Sequence, residues 1–408
     1  MATRALILIE GNINGTGSQY VQAARRLDLH PITLSTDPAR YDYLSEEGIE
    51  AIGVDTGNFD ALVRECSRLR STYDIAGITC AKESVYATVA KLCRHFELPG
   101  PNPVSIERCC DKFSQRQLLA EAGIPVPAYR VAENATDVEA FAVEIGLPVV
   151  LKPAVGNGSS GVRLCRNVDE LAEHTTYLLG GKHIWRSPPR ILVEEFAQGP
   201  YYCTEIMGNE VIGIAAGSFG QPPHFVFREF TIPAVLTSYE RARIADVSLK
   251  SLRALDLGWG PTNIELRWTK LGPVIIEVNP RLAAAPDPQL IQLACGVDVI
   301  TEHIKLAIGQ EGNLRRTHLH TAAVRFLVPE RDGILDWIDG GSQAAAVPGV
   351  AEVKVPKLKT RIFRRGDYRD ILGYVIAVTP SFAETEVALQ RAVDLICWSI
   401  TPFPSSRD

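Results

Sequence analysis

The sequence has no Cys-x-x-Cys pair, and its nine cysteines are an odd number in which the neighbours Cys109 and Cys110 cannot easily bridge each other. Zinc ribbons and a disulfide framework are excluded, and a reducing, cytoplasmic setting is expected. Long apolar runs are also missing. The stretch 5–9 (ALILI), close behind the opening Met-Ala-Thr-Arg, is too short for a signal-peptide core or a membrane span, so no membrane partner is expected. Basic charge is not in excess either: the net charge is −6 and the pI about 5.8, which argues against a nucleic-acid surface and for a small-molecule substrate. The eight histidines form no HExxH motif, and the one His-x-His pair, His318 and His320, has no acidic neighbour and reads as structural. With 46% hydrophobic and 22% charged residues over 408 positions, the chain is that of an ordinary globular protein of two or three packed units.

What is present begins as an α/β pattern. The run 5–9 is followed by Gly11, Gly15 and Gly17 and an amphipathic stretch over 20–29, the order strand, glycine turn, helix. The segment GNINGTG does not match the dinucleotide fingerprint G-x-G-x-x-G, so a turn able to touch substrate is expected there instead. Strands are predicted over 31–34, 51–54 and 74–79, and helices over 59–69 and 83–96. That alternation implies a parallel sheet covered on both faces. The cluster Leu98-Pro99-Gly100-Pro101-Asn102-Pro103 breaks every pattern and marks a domain boundary. Beyond it come a helix over 111–122, strands over 149–152, 162–164 and 191–194, a helix over 168–178, and strands over 262–267 and 274–278. The last part, from about residue 321, has strands over 322–328 and 374–378, a glycine break at 340–341 and a helix over 383–397, a small α+β cap.

The chemistry is concentrated at Glu265 and Glu277, on two successive strands. Side chains alternate along a strand, so Glu277, Asn279 and Arg281 share one parity, and a hairpin can present both carboxylates on one face. Such hard oxygen donors suit Mg²⁺ bridging nucleotide phosphates. A charged solvent face is the competing reading, but Glu277 sits among Ile275, Ile276 and Val278, where an unpaired carboxylate is costly. A second element is Lys152 at the end of an apolar strand, followed by Gly156, Gly158, Ser159, Ser160 and Gly161. Small residues let backbone amides approach phosphate oxygens, and the loop is not a Walker A motif, since no Gly-Lys-Ser/Thr follows. Lys112, and Glu194 with Glu195 and Phe196, carry little information alone. Arg228 and Arg325 lie among apolar neighbours and are candidates for gripping a substrate carboxylate, because a guanidinium in such a place needs an anionic partner.

Taken in order, Asp111-Lys112, the turn Gly123-Ile124-Pro125-Val126-Pro127, Leu151-Lys152-Pro153 with its glycine loop, Val193-Glu194-Glu195-Phe196 and Glu277-Val278-Asn279-Pro280-Arg281 resemble the ATP-grasp superfamily. The resemblance implies a mixed α/β and α+β fold: a Rossmann-like domain over 1–103, a small lobe with a phosphate lid over 104–193, a large lobe with the metal site over 194–312 and a cap over 313–408. It assigns Lys112 and Lys152 to the ATP phosphates, residues 156–161 to the lid, Glu194, Glu195 and Phe196 to the adenine, and Tyr202 to the nucleotide. Glu265, Glu277 and Asn279 would hold Mg²⁺, as two ions for which Mn²⁺ can substitute, and Arg281 would steady the transferred phosphoryl group. The subfamily most resembled is that of the L-amino-acid (dipeptide) ligases. The implied reaction joins a small carboxylate to an amine, both amino-acid-like, through an acyl phosphate, and a homodimer is compatible with it.

The chain departs from that pattern at three places: Tyr201 stands where an acid often meets the ribose, Phe227 and Phe230 where an acid and a histidine are usual, and Ala283-Ala284-Ala285 where a glycine pair is usual. Two other functions compete. A biotin-carboxylase-like enzyme would activate bicarbonate with similar residues, although no biotinyl-lysine domain is seen, and a regulatory nucleotide binder would have lost catalysis, against which Glu265, Glu277, Asn279 and Arg281 stand.

Overall fold

The computed structural model describes residues 2–12, 16–181 and 190–403; Gly15 of the first glycine turn lies outside them. Strand Thr3–Ile9 is central in a four-stranded parallel sheet, between His30–Ser35 and Tyr73–Thr79, with Glu50–Gly53 at the edge. Its residues 5–9 are all buried because the sheet is covered twice. Leu6 and Leu8 pack on Tyr20 and Val21, while Ala5, Ile7 and Ile9 pack on Leu62, Cys66 and Leu92. The expected βα alternation is therefore present. The proline cluster ends where the Asn102 side chain caps helix Pro103–Cys110, with Pro103 in the first turn, where its missing N–H costs nothing.

Helix Lys112–Glu121 starts at an Asp111 cap, whose Oδ1 accepts from the Ser114 amide at 2.7 Å. A second, antiparallel sheet has the order Tyr129–Ala132, Ile191–Glu195, Val149–Pro153, Arg163–Cys165, and helices Ala135–Ile145 and Val168–Gly180 close its core. Glu194 and Glu195 belong to this sheet, since Glu194 pairs with Val150 and with Tyr129.

The largest sheet has eight antiparallel strands in the order Gly272–Asn279, Pro261–Thr269, Tyr201–Met207, Glu210–Phe219, Phe227–Ile232, Thr321–Leu327, Gly373–Thr379, Val350–Lys354. Strands on both sides of residue 313 thus share one sheet. Helix Ser238–Ala254, opened by a Thr237–Glu240 capping box, packs on one face through Ile244, Val247 and Leu252 against Ile264, Leu266, Ile275 and Val278. Helix Asp287–Cys295 packs on the other, against Phe230, Ile232, Ala322 and Val324. The strands over 201–232 escape the sequence pattern because both sheet faces are covered, and the period-2 alternation that marks a half-exposed strand is lost. A three-stranded sheet, Arg361–Ile362, Gly333–Asp339, Cys397–Thr401, completes the C-terminal part, where the expected helix over 383–397 ends at Asp394 and gives way to the last strand. Among the described residues no helix is long and apolar enough to cross a membrane.

Candidate functional site

The second sheet faces the carboxylate end of the large one, and the two enclose a cavity of about 130 Å³. That is less than the few hundred Å³ usual for ligand pockets, and the glycine loop over 156–160 folds into it. Lys112, Lys152, Gly156, Gly158, Ser159, Ser160, Glu194, Glu195, Phe196, Glu265, Glu277 and Arg281 all line it, so most of the sequence-assigned set is gathered in one place.

The hairpin carries both carboxylates as parity requires, with one irregularity beside them. Glu265 pairs directly with Glu277 across the two strands, and Asn263 with Asn279, so both carboxylates project from one face; a register shift after Glu265 pairs Leu266 with Ile275, and Ile264, Leu266, Ile275 and Val278 pack together on the other face. Asn279 is buried behind them and donates to Glu265 at 3.3 Å. The pair is electrostatically unequal. Burial, and then the neighbouring Glu277 charge, push Glu265 up to about 7. Burial also works on Glu277, but Lys112 and Lys152 outweigh it and hold that carboxyl below its usual range, with Lys112 Nζ 2.7 Å from Oε1. Among the described residues no three His, Cys, Asp or Glu side chains form a metal group by themselves. Two carboxylates and an amide nevertheless suit a hard cation whose remaining positions are filled by phosphate oxygens and water, and a carboxyl raised by burial and by its carboxylate neighbour is consistent with that fit.

The two lysines are fully enclosed and shift in opposite directions. Burial acts to lower both. For Lys112 the carboxylates of Glu277, Glu83 and Glu265 prevail and raise it; Lys152 ends up lowered, since Arg116 and Lys112 oppose what Glu194 contributes. Lys152 is 2.5 Å from Glu194, whose other oxygen accepts from Arg116 Nε at 2.6 Å. Arg116, wholly buried on helix Lys112–Glu121, also donates to the Ile276 carbonyl, joining that helix to both sheets. Arg281 is anchored from the N-terminal sheet region, where Glu83 Oε2 lies 2.7 Å from its Nε. Neither Arg116 nor Glu83 stands out in the sequence, because each acquires its meaning from a partner 78 or 198 positions away.

The remaining wall is aromatic. Phe196, Tyr201, Phe219, Phe225 and Phe227 line it, and Arg267, two residues beyond Glu265 on the same face, holds its guanidinium 5.4, 5.5 and 5.9 Å from the rings of Phe196, Phe219 and Phe225. Its Nη1 donates to the Gly199 carbonyl at 2.8 Å. A strand-parity argument applied to Arg267 could have found it. Phe230 does not reach the cavity; it is buried in the core against Phe227 and Tyr201.

Some assigned residues lie elsewhere. Tyr202 does not line the cavity: along strand Tyr201–Met207 alternate side chains change face, so Tyr201 takes the cavity and Tyr202 packs against the Ser238–Ala254 helix layer. Gly161 lies behind the lining, its carbonyl bonded to His174 Nε2 at 2.9 Å. Arg228 and Arg325 line a separate cavity with Phe326, Arg331 and Trp398. Arg325 does have the anionic partner its apolar setting demands, but the chain supplies it: Glu229 directly across the ladder at 2.6 Å and Glu386 at 3.1 Å. Arg228 donates to the Val328 carbonyl at 3.4 Å. The His318 and His320 rings pack on each other, with His318 bonded to the Leu293 carbonyl, as a structural pair should be.

Residues 111–315 match the family model for the carbamoyl-phosphate synthase L chain, ATP binding domain, half of the chain, and residues 325–401 match that of the L-amino acid ligase C-terminal domain 2. The chain belongs to the ATP-grasp superfamily. As an ATP-grasp ligase it is a C–N bond-forming enzyme of the carboxylate-amine type, working with ATP and Mg²⁺. It is 60% identical over 406 residues to the protein y4rH of Sinorhizobium fredii, covering 99% of this chain and 85% of that one. It is also 25% identical over 248 residues to biotin carboxylase 1 of Bacillus subtilis, spanning 56% of this chain and about half (53%) of that enzyme. In fold it is similar to the L-amino acid ligase from Bacillus licheniformis, with a TM-score of 0.82 at 19% identity over 98% of this chain and 100% of the other.

Proposed function

We propose that this ATP-grasp ligase joins the carboxylate of one small, amino-acid-like substrate to the amine of another, through an acyl phosphate, with ATP cleaved to ADP and phosphate. The observation that carries the reading is the charge layout of one cavity, which Lys152, the glycine loop, Glu265, Glu277 and Arg281 line together, with Lys112 Nζ 2.6 Å from the Gly156 carbonyl and 2.7 Å from Glu277 Oε1. Lys112 and Lys152 would hold the phosphate chain, the loop amides would cover it, and the backbone and ring of residues 194–196 would hold the base. Bound Mg²⁺ would neutralise phosphate oxygens, with Glu265, Glu277 and Asn279 as its protein ligands.

Phosphoryl transfer needs little covalent help from side chains and depends on positioning and on cations placed where charge develops. Arg281, held by Glu83, points its guanidinium into the carboxylate end, where it would meet the transferred group. Cations gathered at that end favour attack at the terminal phosphorus; adenylation would need them at the innermost one. The substrate acid then meets no arginine from the set Arg228 and Arg325, and the surroundings of Phe227 and Tyr201 favour a partly apolar side chain. The match to an L-amino acid ligase C-terminal domain supports amino acids as the substrate class.

Incubation with Mg²⁺-ATP and panels of amino acids, with bicarbonate in parallel, tests the substrate class: ADP formed with a condensed dipeptide supports it, and ADP formed with bicarbonate alone supports the carboxylase reading. ¹⁸O in the substrate carboxylate should appear in released phosphate. Label in AMP would overturn the acyl-phosphate route.

A further inference from the structure

A loop rich in glycine and serine has little side-chain area to hold it, and the sequence leads one to expect residues 156–161 to be loose. In the folded chain the loop is fastened at three points. Lys112 Nζ donates to the Gly156 carbonyl at 2.6 Å at its start, and His174 holds the Gly161 carbonyl at its end. The third point is far away in sequence. Ser160 Oγ donates to Asp367 Oδ2 at 3.0 Å, and the Tyr368 amide donates to the Gly158 carbonyl at 3.2 Å.

The docking partner is itself a built turn. Asp370 accepts the amides of Arg365 and Gly366 at 2.7 and 2.8 Å, and Asp367 caps the short helix Tyr368–Asp370 by accepting the Arg369 amide at 3.0 Å. Asp367 is 1% exposed. Burial alone would raise its carboxyl, but hydrogen bonds from the Arg369 side chain and amide hold it below its usual range, so it is an ionised acceptor for Ser160. Contact at the other bond is close: a Cβ on Gly158 would stand 2.4 Å from Tyr368 Cδ1, at a φ of +61°. Only glycine meets both demands.

The loop keeps its amides free for another task. The amides of Gly158 and Ser159 donate to no acceptor among the described residues, while those of Ser160 and Val162 close turns within the loop. Gly158 and Ser159, both left-handed, are the central residues of the turn that the Ser160 amide closes on the Asn157 carbonyl, and both line the cavity. A loose loop would have to lose conformational freedom each time it covered a phosphate.

We propose that Asp367, with Tyr368, is a positioning element of the nucleotide site: the C-terminal turn 365–370 holds the glycine loop in its phosphate-covering form, so part of the nucleotide affinity depends on residues outside the ATP-binding domain match. This rests on the reading of the glycine loop as the phosphate cover. None of residues 365–370 lines the cavity, so the turn acts through Ser160 and Gly158.

The test is calorimetric titration of the full chain with Mg²⁺ and a non-hydrolysable ATP analogue, and separately with adenosine, alongside thermal unfolding. Removing a hydrogen bond to a charged acceptor should cost about tenfold in affinity. Asp367→Asn and Asp367→Ala are therefore expected to weaken the analogue about tenfold and adenosine hardly at all, and to raise KM for ATP more than they lower kcat. Combining Asp367→Asn with Ser160→Ala in a double-mutant cycle separates the pair from any contact Ser160 makes to phosphate, and non-additive losses are expected. If Asp367→Ala does not fold, the Asn variant and the cycle still decide. Wild-type affinity for the analogue, equal weakening of analogue and adenosine, or additive losses overturns the proposal. Lys152→Met serves as the control on the underlying reading: if it leaves analogue binding unchanged, the phosphate assignment has failed, whatever the Asp367 variants do.

Discussion

The two faces of the eight-stranded sheet carry charge in opposite ways. On the cavity face, Glu265, Glu277, Glu205 and Arg281 are crowded into little volume, and their partners come from other parts of the chain: Lys112 from the second helix after the linker, Glu83 from the short helical turn that follows the N-terminal strand Tyr73–Thr79. On the reverse face Arg325 meets Glu229 on the next strand and Glu386 on helix Phe382–Asp394, both partly exposed. The reverse-face arginine is neutralised where it stands. The cavity face holds like charges together, and Glu265 and Glu205 are both pushed up to about 7, a condition that folding does not by itself favour. An arginine among apolar neighbours is therefore not by itself a sign of a substrate ligand, because the chain can supply the counter-charge, as it does for Arg325.

The largest effect should come from Glu277→Gln, which keeps the shape of the hairpin and removes one charge of the carboxylate pair. Turnover is expected to fall about a thousandfold, with the circular dichroism spectrum unchanged; ADP formation at the wild-type rate at ordinary Mg²⁺ would erase the distinction between the faces.

Next is Arg116→Met. Glu194 would keep Lys152 alone, and the Ile276 carbonyl would lose its donor. Breaking one side of a buried ion pair costs about 3 kcal/mol, to be read as a drop in the urea midpoint. An unchanged midpoint would show that the network across the two sheets contributes nothing to stability.

A smaller effect, with a definite sign, concerns Glu205. Burial raises its carboxyl to about 7, against opposing hydrogen bonds from Asn263 and Cys203. Between the ordinary value near 4.5 and about 7 the folded chain binds more protons here than the unfolded one, so this group's contribution falls as pH rises through that window and stays low above it. Glu205→Gln removes the titration and should gain on wild type by on the order of 2 kcal/mol between pH 5 and pH 8. Parallel stability curves for the two proteins would show that burial does not raise the Glu205 carboxyl.

The smallest expected change in catalysis is for Arg325→Ala, whose loss on the reverse face should leave ADP formation within about twofold of wild type, because surface-facing pairs are weakly coupled to distant sites. A hundredfold fall would restore Arg325 as a substrate ligand.

Local chemistry made much of this legible. Strand parity put Glu265 and Glu277 on one face, since alternation is a property of the backbone and needs no partner. The run 5–9 and the proline cluster 98–103 were readable for the same reason: an apolar strand and a missing N–H act where they stand. Tertiary structure decided what depends on pairs distant in sequence. Tyr202 was separated from Tyr201 by which face the helix Ser238–Ala254 covers, Arg325 was satisfied by glutamates on a neighbouring strand and helix, and Arg116 and Glu83 gained their roles only when Glu194 and Arg281 came within 2.7 Å. The glycine loop shows both sides. Its sequence fixed the backbone freedom that lets Gly158 take a φ of +61°, while the turn at 365–370, some 200 residues on, decided where that freedom is spent. Backbone conformation is written residue by residue, but the cancellation of charge and the docking of a loop require two surfaces, and only the folded chain brings them together.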